Sequence, residues 1–452
     1  MTRRDFLSGM VAAGATLATA RLAAAQAVQE ATAPAVISSA TAAVNSAEEL
    51  RVAMIGPGSQ GRTLLTNTLN IPNVRFVALC DIWDYSLDYA SRICQKSDQP
   101  VNTYHDYREM LEKEKDLDAV LIATPDFLHA PMTLDCLHAG IHVYCEKEMS
   151  NTLEGCRQMV VAARETGKLL QIGHQRRSNP RYFLGEKLLH KDKFLGRVTH
   201  AYGQWNRLAM EMYGWPPGRE IPADVLKAQG YDTMERFRNW RWYRQFGGGL
   251  MADLGSHQVD IFNWYFQCAP SRVTVSGGMD VLQGDREFPD NVMAIYEYDT
   301  AWGKVRAYYQ VVSTSSFNGY YELFLGTEGT LMISEDPTKG FLFKEVSAPK
   351  REWEDEAKKV DSMGKEAIAL QVGASRKQGE QKAEAMKEEE DANKPPHQLH
   401  LENFFAAVRD PGKVKLNCTA EAAFETAVSV LMVDTAFKNG HSYAFKKEEF
   451  KA

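Results

Sequence analysis

The chain lacks a cysteine framework. Its seven cysteines are odd in number, and none falls in a C-x-x-C or zinc-like spacing. That argues against a structural metal centre and against a disulfide-stapled fold. Cys80 and Cys145 lie within apolar, strand-like runs and read as buried free thiols. An excess of positive charge is missing too. The formal net charge is −7, so nothing points to nucleic acid or an anionic membrane surface as a partner. Long apolar runs are scarce. The stretch from Leu7 to Ala25 contains Arg21 and several Gly and Thr residues, and is too short and polar for a comfortable membrane span. No internal repeat is evident.

The first residues carry an address. Thr2-Arg3-Arg4-Asp5-Phe6-Leu7 is a twin-arginine pattern, and Ala25-Gln26-Ala27 is a plausible cleavage site. Residues 1–27 are therefore expected to be a twin-arginine export signal leading to a periplasmic protein with no stable membrane span after cleavage. An uncleaved anchor is the alternative. Residues 28–48, rich in Ala, Ser and Thr, read as a linker.

Residues 51–61 organise the remainder. Val52 to Ile55 suit a buried parallel strand, and Gly56, Gly58 and Gly61 then give G-x-G-x-x-G. Gly56 permits the tight turn. Gly58 lets a pyrophosphate approach the backbone. Gly61 lets the next helix pack on the sheet with its N-terminal N–H groups aimed at the phosphates. The segment Gly56, Gly58, Ser59, Gln60, Gly61 is thus a candidate dinucleotide cradle. A second strand from Val74 ends at Asp81, twenty residues after Gly61. A carboxylate there accepts ribose hydroxyls and repels a 2′-phosphate, so NAD is expected and NADP is less favoured, although Arg62 is close in sequence.

Strands and helices alternate from 49 to 173, with Gly140 and Gly167 closing helices. This predicts an α/β, doubly wound parallel sheet of Rossmann type. From 174 to 349 the pattern changes to longer strands near 272–280, 291–298, 303–313 and 320–333, with a hairpin at Asp299-Thr-Ala-Trp-Gly and a helix from Leu250 to Phe266. That predicts an α+β domain with a large, mostly antiparallel open sheet. Residues 350–394 are dense in Lys, Glu and Ala and read as a solvated helical or partly disordered insertion. Helices in 395–452 are expected to pack back on the core.

Ligands of open α/β sheets bind beyond the carboxyl ends of the strands. Thr124-Pro125-Asp126-Phe127-Leu128-His129 and Glu146-Lys147 end there. A lysine beside a cationic nicotinamide is suited to proton transfer. In the second domain, Asp253 and His257 are four residues apart, so one helix face presents both, and three glycines precede them. The segment 236–246 is rich in Arg and aromatics, which suits either a sugar ring or a packed domain interface.

These carriers together resemble the Gfo/Idh/MocA family, named for glucose–fructose oxidoreductase and inositol dehydrogenase. They are Gly56-Pro-Gly-Ser-Gln-Gly61, Thr124-Pro125-Asp-Phe-Leu-His129, Glu146-Lys147 and Asp253-Leu-Gly-Ser-His257. The resemblance implies a catalytic set of Lys147, Asp253 and His257, and a nicotinamide bordered by Thr124, Pro125, His129 and Glu146. Arg176, Arg241 and Trp242 are candidate substrate contacts. The family pattern Glu-Lys-Pro is Glu146-Lys147-Glu148 here, so the base could be Lys147 or His257, and Glu148 is expected to raise the Lys147 pKa. A homo-oligomer, dimer or tetramer, is implied as well. The expected activity is oxidation of a sugar or polyol C–OH with a tightly held dinucleotide, because twin-arginine export carries folded, cofactor-loaded proteins. An NAD-dependent glycosidase and a non-catalytic dinucleotide-binding scaffold are the alternatives.

Overall fold

The computed structural model describes residues 49–209, 211–351, 354, 357–370 and 390–452. The expected signal and linker lie outside them. Six strands, β1 (Leu50–Ile55), β2 (Val74–Cys80), β3 (Asn102–Tyr104), β4 (Ala119–Ile122), β5 (His142–Cys145) and β6 (Leu170–Ile172), form one sheet. Its order is β3-β2-β1-β4-β5-β6 and every pairing is parallel. Apart from the polar edge strand β3, the strands are short, mostly apolar runs because both faces are covered. In β1, Val52 and Met54 enter the core that receives α1 (Ser59–Thr68) and α2 (Asp84–Lys96). Ala53 and Ile55 enter the opposite core, beneath α4 (Asp126–His138) and α5 (Leu153–Thr166). A short α3 (Tyr107–Lys113) follows β3, capped by the Asp106 side chain. The order reverses between β1 and β4, which sets a crevice at their carboxyl ends.

The second sheet has ten strands: β7 (Val198–Asn206), β8 (Arg272–Gly278), β9 (Asn291–Thr300), β10 (Gly303–Val312), β11 (Tyr320–Gly326), β12 (Gly329–Ile333), β13 (Phe341–Lys344), β14 (Lys359–Ser362), β15 (Lys365–Ala369) and β16 (Ser442–Ala444). α6 (Pro180–His190) leads into this sheet, in which only the β7–β10 pairing is parallel among the described residues. Strand alternation puts Tyr296, Tyr298, Ala307 and Tyr309 into the core beneath α9 (Ser256–Phe266). The fold class expected from the sequence is the one observed.

Three details differ from expectation. The 320–333 stretch divides into β11 and β12, a hairpin turned at Thr327-Glu328. The helix expected from Leu250 is interrupted in its first turn by a π-turn over Met251–Gly255 and continues as an α-helix from Ser256. Residues 350–394 are not simply a solvated helical insertion, since β14 and β15 extend the second sheet through β13. There Ala367 and Ile368 are buried, so two apolar side chains suffice to fix an edge hairpin within a charged stretch. Residues 371–389 of that stretch lie outside the described residues.

Near the C-terminus, α10 (Pro396–Arg409) inserts Leu401, Phe404 and Phe405 into the α1/α2 side of the parallel sheet. α11 (Ala420–Lys438) spans both domains, with Phe424 and Val428 in one core and Val430 and Val433 in the other. No helix among the described residues is long and apolar enough to cross a membrane.

Candidate active site

The glycine turn is built as a dinucleotide cradle. Gly56 sits at φ +84°, and a Cβ there would lie 2.8 Å from the Ala123 carbonyl oxygen. A Cβ on Gly61 would meet the Gly56 carbonyl oxygen at 2.2 Å, so only glycine lets α1 pack this close to the turn. At Gly58 the corresponding direction is open. Gly58 caps α1 without a side-chain hydrogen bond, which leaves the first-turn N–H groups, from Ser59 onward, available to phosphate oxygens. The residues present therefore fit a bound dinucleotide.

Asp81 stands just past the end of β2. Its Oδ1 accepts the Trp83 N–H at 2.9 Å. Burial raises the carboxyl pKa to about 7, against the opposing effects of that N–H, His105 and Arg62. Trp83, the next aromatic residue along, is buried in the core of the second domain rather than its own. Its indole N–H donates to the Arg219 carbonyl at 2.5 Å, Phe237 meets it edge-on at 5.9 Å, and the Arg238 guanidinium lies 4.9 Å from its ring. Arg219 also pairs with Asp88 at 3.2 Å. The irregular segment after β7, which contains α7 (Ala223–Ala228) and α8 (Met234–Arg238), thus straps the adenosine end of the crevice.

At the other end, Glu146 and Lys147 leave β5. A Cβ on Gly173 would come 2.9 Å from the Glu146 carboxyl carbon, so a bare glycine gives that carboxylate its seat. Gln60 donates its amide to Glu146 Oε1 at 3.0 Å, and His397 from α10 approaches the same nitrogen. His129 has its two ring nitrogens 2.6 Å and 2.7 Å from the carbonyls of Glu148 and Thr124. Burial holds its pKa down near 4, so the neutral ring donates to one of them and braces the Thr124-Pro125 turn against the Lys147 loop.

Lys147 crosses from the first domain to the second. Its Nζ donates to the Asp253 carbonyl at 2.5 Å and lies 3.8 Å from the Asp253 carboxylate. That carboxylate also accepts from Arg241 at 2.8 Å and from Arg207 at 3.4 Å. The cations hold the Asp253 pKa well below the ordinary carboxylate range, Arg241 foremost, although burial opposes them. Asp253 does not orient His257 as the four-residue spacing implied. Among the described residues no hydrogen bond joins the two, because Asp253 lies in the π-turn and its carboxylate is taken by cations. His257 instead lies 5.2 Å from the Trp205 ring and is 8% exposed. Its Nδ1 has no partner among the described residues, and burial, then the charges of Lys147 and Arg176, depress its pKa well below that of a free imidazole. It is a neutral ring at neutral pH.

Two further expectations are corrected. Arg176 is not available to a substrate: it is 1% exposed and held by Glu322 and, at 2.9 Å, by Glu335. Glu148 does not bring a full negative charge to Lys147. It is 1% exposed, and burial raises its pKa to about 8. The Lys147–Glu148 peptide is cis. Arg241 and Trp242 do line a cavity, together with Arg207, Tyr213, Arg238 and Asp253.

The matching protein families agree with this geometry. Residues 50–174 match the model of an oxidoreductase family with an NAD-binding Rossmann fold, and residues 187–332 match the GFO/IDH/MocA C-terminal domain. Inositol 2-dehydrogenase from Rubrobacter xylanophilus is 31% identical over 316 residues, 68% of this chain and 77% of that protein. The chain belongs to the Gfo/Idh/MocA family. Glycosyl hydrolase family 109 protein 1 from Shewanella sp. (strain ANA-3) is 35% identical over 173 residues, 37% of this chain and 38% of the relative. Matches to several other curated relatives likewise span only 38% to 66% of their lengths. Levoglucosan dehydrogenase in complex with NADH shares the fold at 16% identity and a TM-score of 0.63, over 88% of this chain and 99% of that one. This Gfo/Idh/MocA member binds NAD.

Some contributors to the site escape sequence reasoning. Arg207, Trp83 and His397 come from segments with no motif around them. Asp126 lies inside a motif that was recognised. Its Oδ2 accepts the Gly248 N–H at 3.3 Å, and the Phe127 N–H donates to the Phe246 carbonyl at 3.2 Å. These bonds anchor the triple-glycine loop to the first domain. An apolar-flanked Asp directly after Thr-Pro was the available signal.

Proposed function

We propose that this chain is an exported, NAD-dependent oxidoreductase acting on a C–OH of a sugar, sugar derivative or polyol, with its dinucleotide tightly held. The observation that carries the reading is the contact of Lys147 with Asp253, next to Glu146 at the carboxyl end of the parallel sheet, with His257 near enough for the Lys147 charge to depress its pKa. Bound NAD supplies the hydride acceptor. The substrate hydroxyl gives its proton to the neutral His257 ring, whose low basicity in the free site rises as negative charge develops nearby. The Lys147 ammonium, fixed by Asp253, stabilises the oxygen that loses the proton. Asp253 gathers Lys147, Arg207 and Arg241 around that point. The strap over Trp83 supports slow dinucleotide exchange. The twin-arginine pattern supports a periplasmic location with loading before export, and the family supports an oligomer built on the large sheet.

The glycosyl hydrolase relative supports a redox-neutral variant at the same groups, in which a sugar oxidised transiently loses its aglycone, gains water and is reduced again. Mass spectrometry of the dinucleotide released from purified protein, followed by a screen of polyols and nitrophenyl glycosides, tests both. NADH formation supports the dehydrogenase. Nitrophenol release without added NAD and without NADH accumulation supports the glycosidase. A protein that purifies empty and does neither overturns the proposal.

A further inference from the structure

The charges around Asp253 do not balance. Within the cavity wall and its immediate neighbour, Lys147, Arg207, Arg238 and Arg241 are cationic, whereas Asp253 and Glu211 are anionic. Four positive groups face two negative ones. Glu146, next to Lys147 in the chain, narrows the balance to four against three, and the other nearby buried carboxyls do not close it. Asp126 has its pKa raised to about 7 and Glu148 to about 8, each by burial, so neither carries a full charge at neutral pH. The donors are also incompletely used. Arg241 commits Nε to Asp253, Arg238 commits Nε to the Gly214 carbonyl, and Arg207 gives Nη2 to Asp253 while its buried Nε has no partner among the described residues.

We propose that the substrate of this site carries an anionic group, a carboxylate in particular, seated between Arg207 and Arg241, so that the substrate is an acidic sugar such as a uronate. The inference rests on the sugar oxidoreductase reading and adds the substrate class. Arg207 and Arg241 are joined by the single Asp253 carboxylate, and a planar guanidinium offers paired N–H donors that match a second carboxylate in bidentate fashion. Tyr213 in the same wall, half exposed, supplies flat apolar surface for the ring face. A neutral sugar at this position would leave the guanidinium donors without an ionised acceptor in a partly desolvated pocket, which costs affinity. The pyrophosphate cannot be that acceptor for Arg207 and Arg241, because its cradle is the Gly56–Gly61 turn at the start of α1, whereas these arginines are anchored on Asp253 beside Lys147.

The test is ligand binding to the NADH-loaded protein, in which the pyrophosphate is already in place, with two isosteric pairs: D-glucuronate against D-glucose, and D-galacturonate against D-galactose. At least one acid should bind about tenfold or more tightly than its neutral partner, the scale of a charge-assisted hydrogen bond. That ratio should shrink as salt is raised, and it should collapse toward one in Arg207→Gln and Arg241→Gln. Thermal unfolding of the variants separates lost recognition from lost folding, and Arg241→Lys should retain part of the preference if charge is what matters. Equal or weaker binding of both acids, including no binding by either pair, overturns the inference. Hydride transfer is read separately, as NADH formed by the NAD-loaded protein. An acid that binds selectively without forming NADH counts against the oxidoreductase reading and leaves the anion site standing.

Discussion

The Gln60 side-chain nitrogen lies 3.1 Å from Nε2 of His397, 337 residues further along the chain. The same nitrogen donates to Glu146 Oε1, which can only accept, so the amide is oriented with its N–H groups toward both partners. His397 Nε2 must then accept, which places the ring proton on Nδ1. A residue of α10 is thereby tied to the dinucleotide turn and to the carboxylate next to Lys147.

Replacing His397 with Leu should speed NADH dissociation severalfold, because Gln60 loses an acceptor and Glu146 a fixed neighbour. His397→Gln keeps an acceptor oxygen and should restore much of the slow release. Stopped-flow fluorescence of NADH displacement measures both rates. Identical rates in wild type and the two variants would dismiss the tie as incidental.

The raised pKa of Asp81 makes cofactor choice depend on pH. With the carboxyl titrating near 7, it is mostly neutral at pH 6 and mostly ionised at pH 8. Preference for NAD over NADP should therefore widen across that interval, since only the ionised form repels a 2′-phosphate. Asp81→Asn should flatten the dependence and narrow the preference. Tighter binding of NADP than NAD at pH 8 would contradict the assignment.

Glu148 should weaken the fold as pH rises. Its folded pKa of about 8 exceeds the ordinary glutamate value of 4.5, so its contribution is fully present below the unfolded pKa and is lost as pH rises through the folded one. Glu148→Gln can keep the acceptor for the Met149 N–H, which Glu148 Oε1 receives at 2.8 Å. The variant should match wild type near pH 4 and gain stability relative to it toward pH 9, by on the order of a few kcal/mol. Melting curves across that range check the divergence, and parallel curves would refute it.

His257 should set the acidic limb of activity. Burial and the surrounding cations lower its pKa, so the limb should fall below the unperturbed value of about 6.5 rather than above it. His257→Ala should reduce kcat by about 10²–10⁴-fold and abolish that limb, with the dinucleotide still bound. Lys147→Ala should also lower kcat while leaving the acidic limb in place. Near wild-type turnover in both variants would move the chemistry elsewhere.

The sequence made the parallel sheet and its cradle legible because the physics there is local. A turn with φ +84° and a 2.2 Å approach leave glycine as the residue that fits at Gly56 and Gly61, and both faces of the strands must be apolar. The position of Asp81 followed from the strand length. Arg176 was misread because a sequence shows a cation but not its counter-ions: Glu322 and Glu335 stand roughly 150 residues away and reach it only through the second sheet. The pairing of Asp253 with cations rather than with His257 depends on a π-turn, and an extra backbone residue in one turn leaves no mark in hydrophobic periodicity. The β14–β15 hairpin was masked by charge, since most of its side chains face solvent and only Ala367 and Ile368 are buried.

Trp83 is gripped from the second domain by Arg219, Phe237 and Arg238. The grip lies beside the adenosine end and reaches the cavity around Asp253 only through Arg238. If that grip keeps the dinucleotide in place, as proposed above, small molecules exchange at one mouth while the other stays shut. In that regime, turnover becomes an alternation. One visitor leaves the protein charged with a single reducing equivalent, and a second must discharge it before the first kind can be used again. Initial-rate plots would then show parallel lines for the two organic reactants. The rate would be indifferent to free dinucleotide, and a lone reactant would stop after one stoichiometric burst.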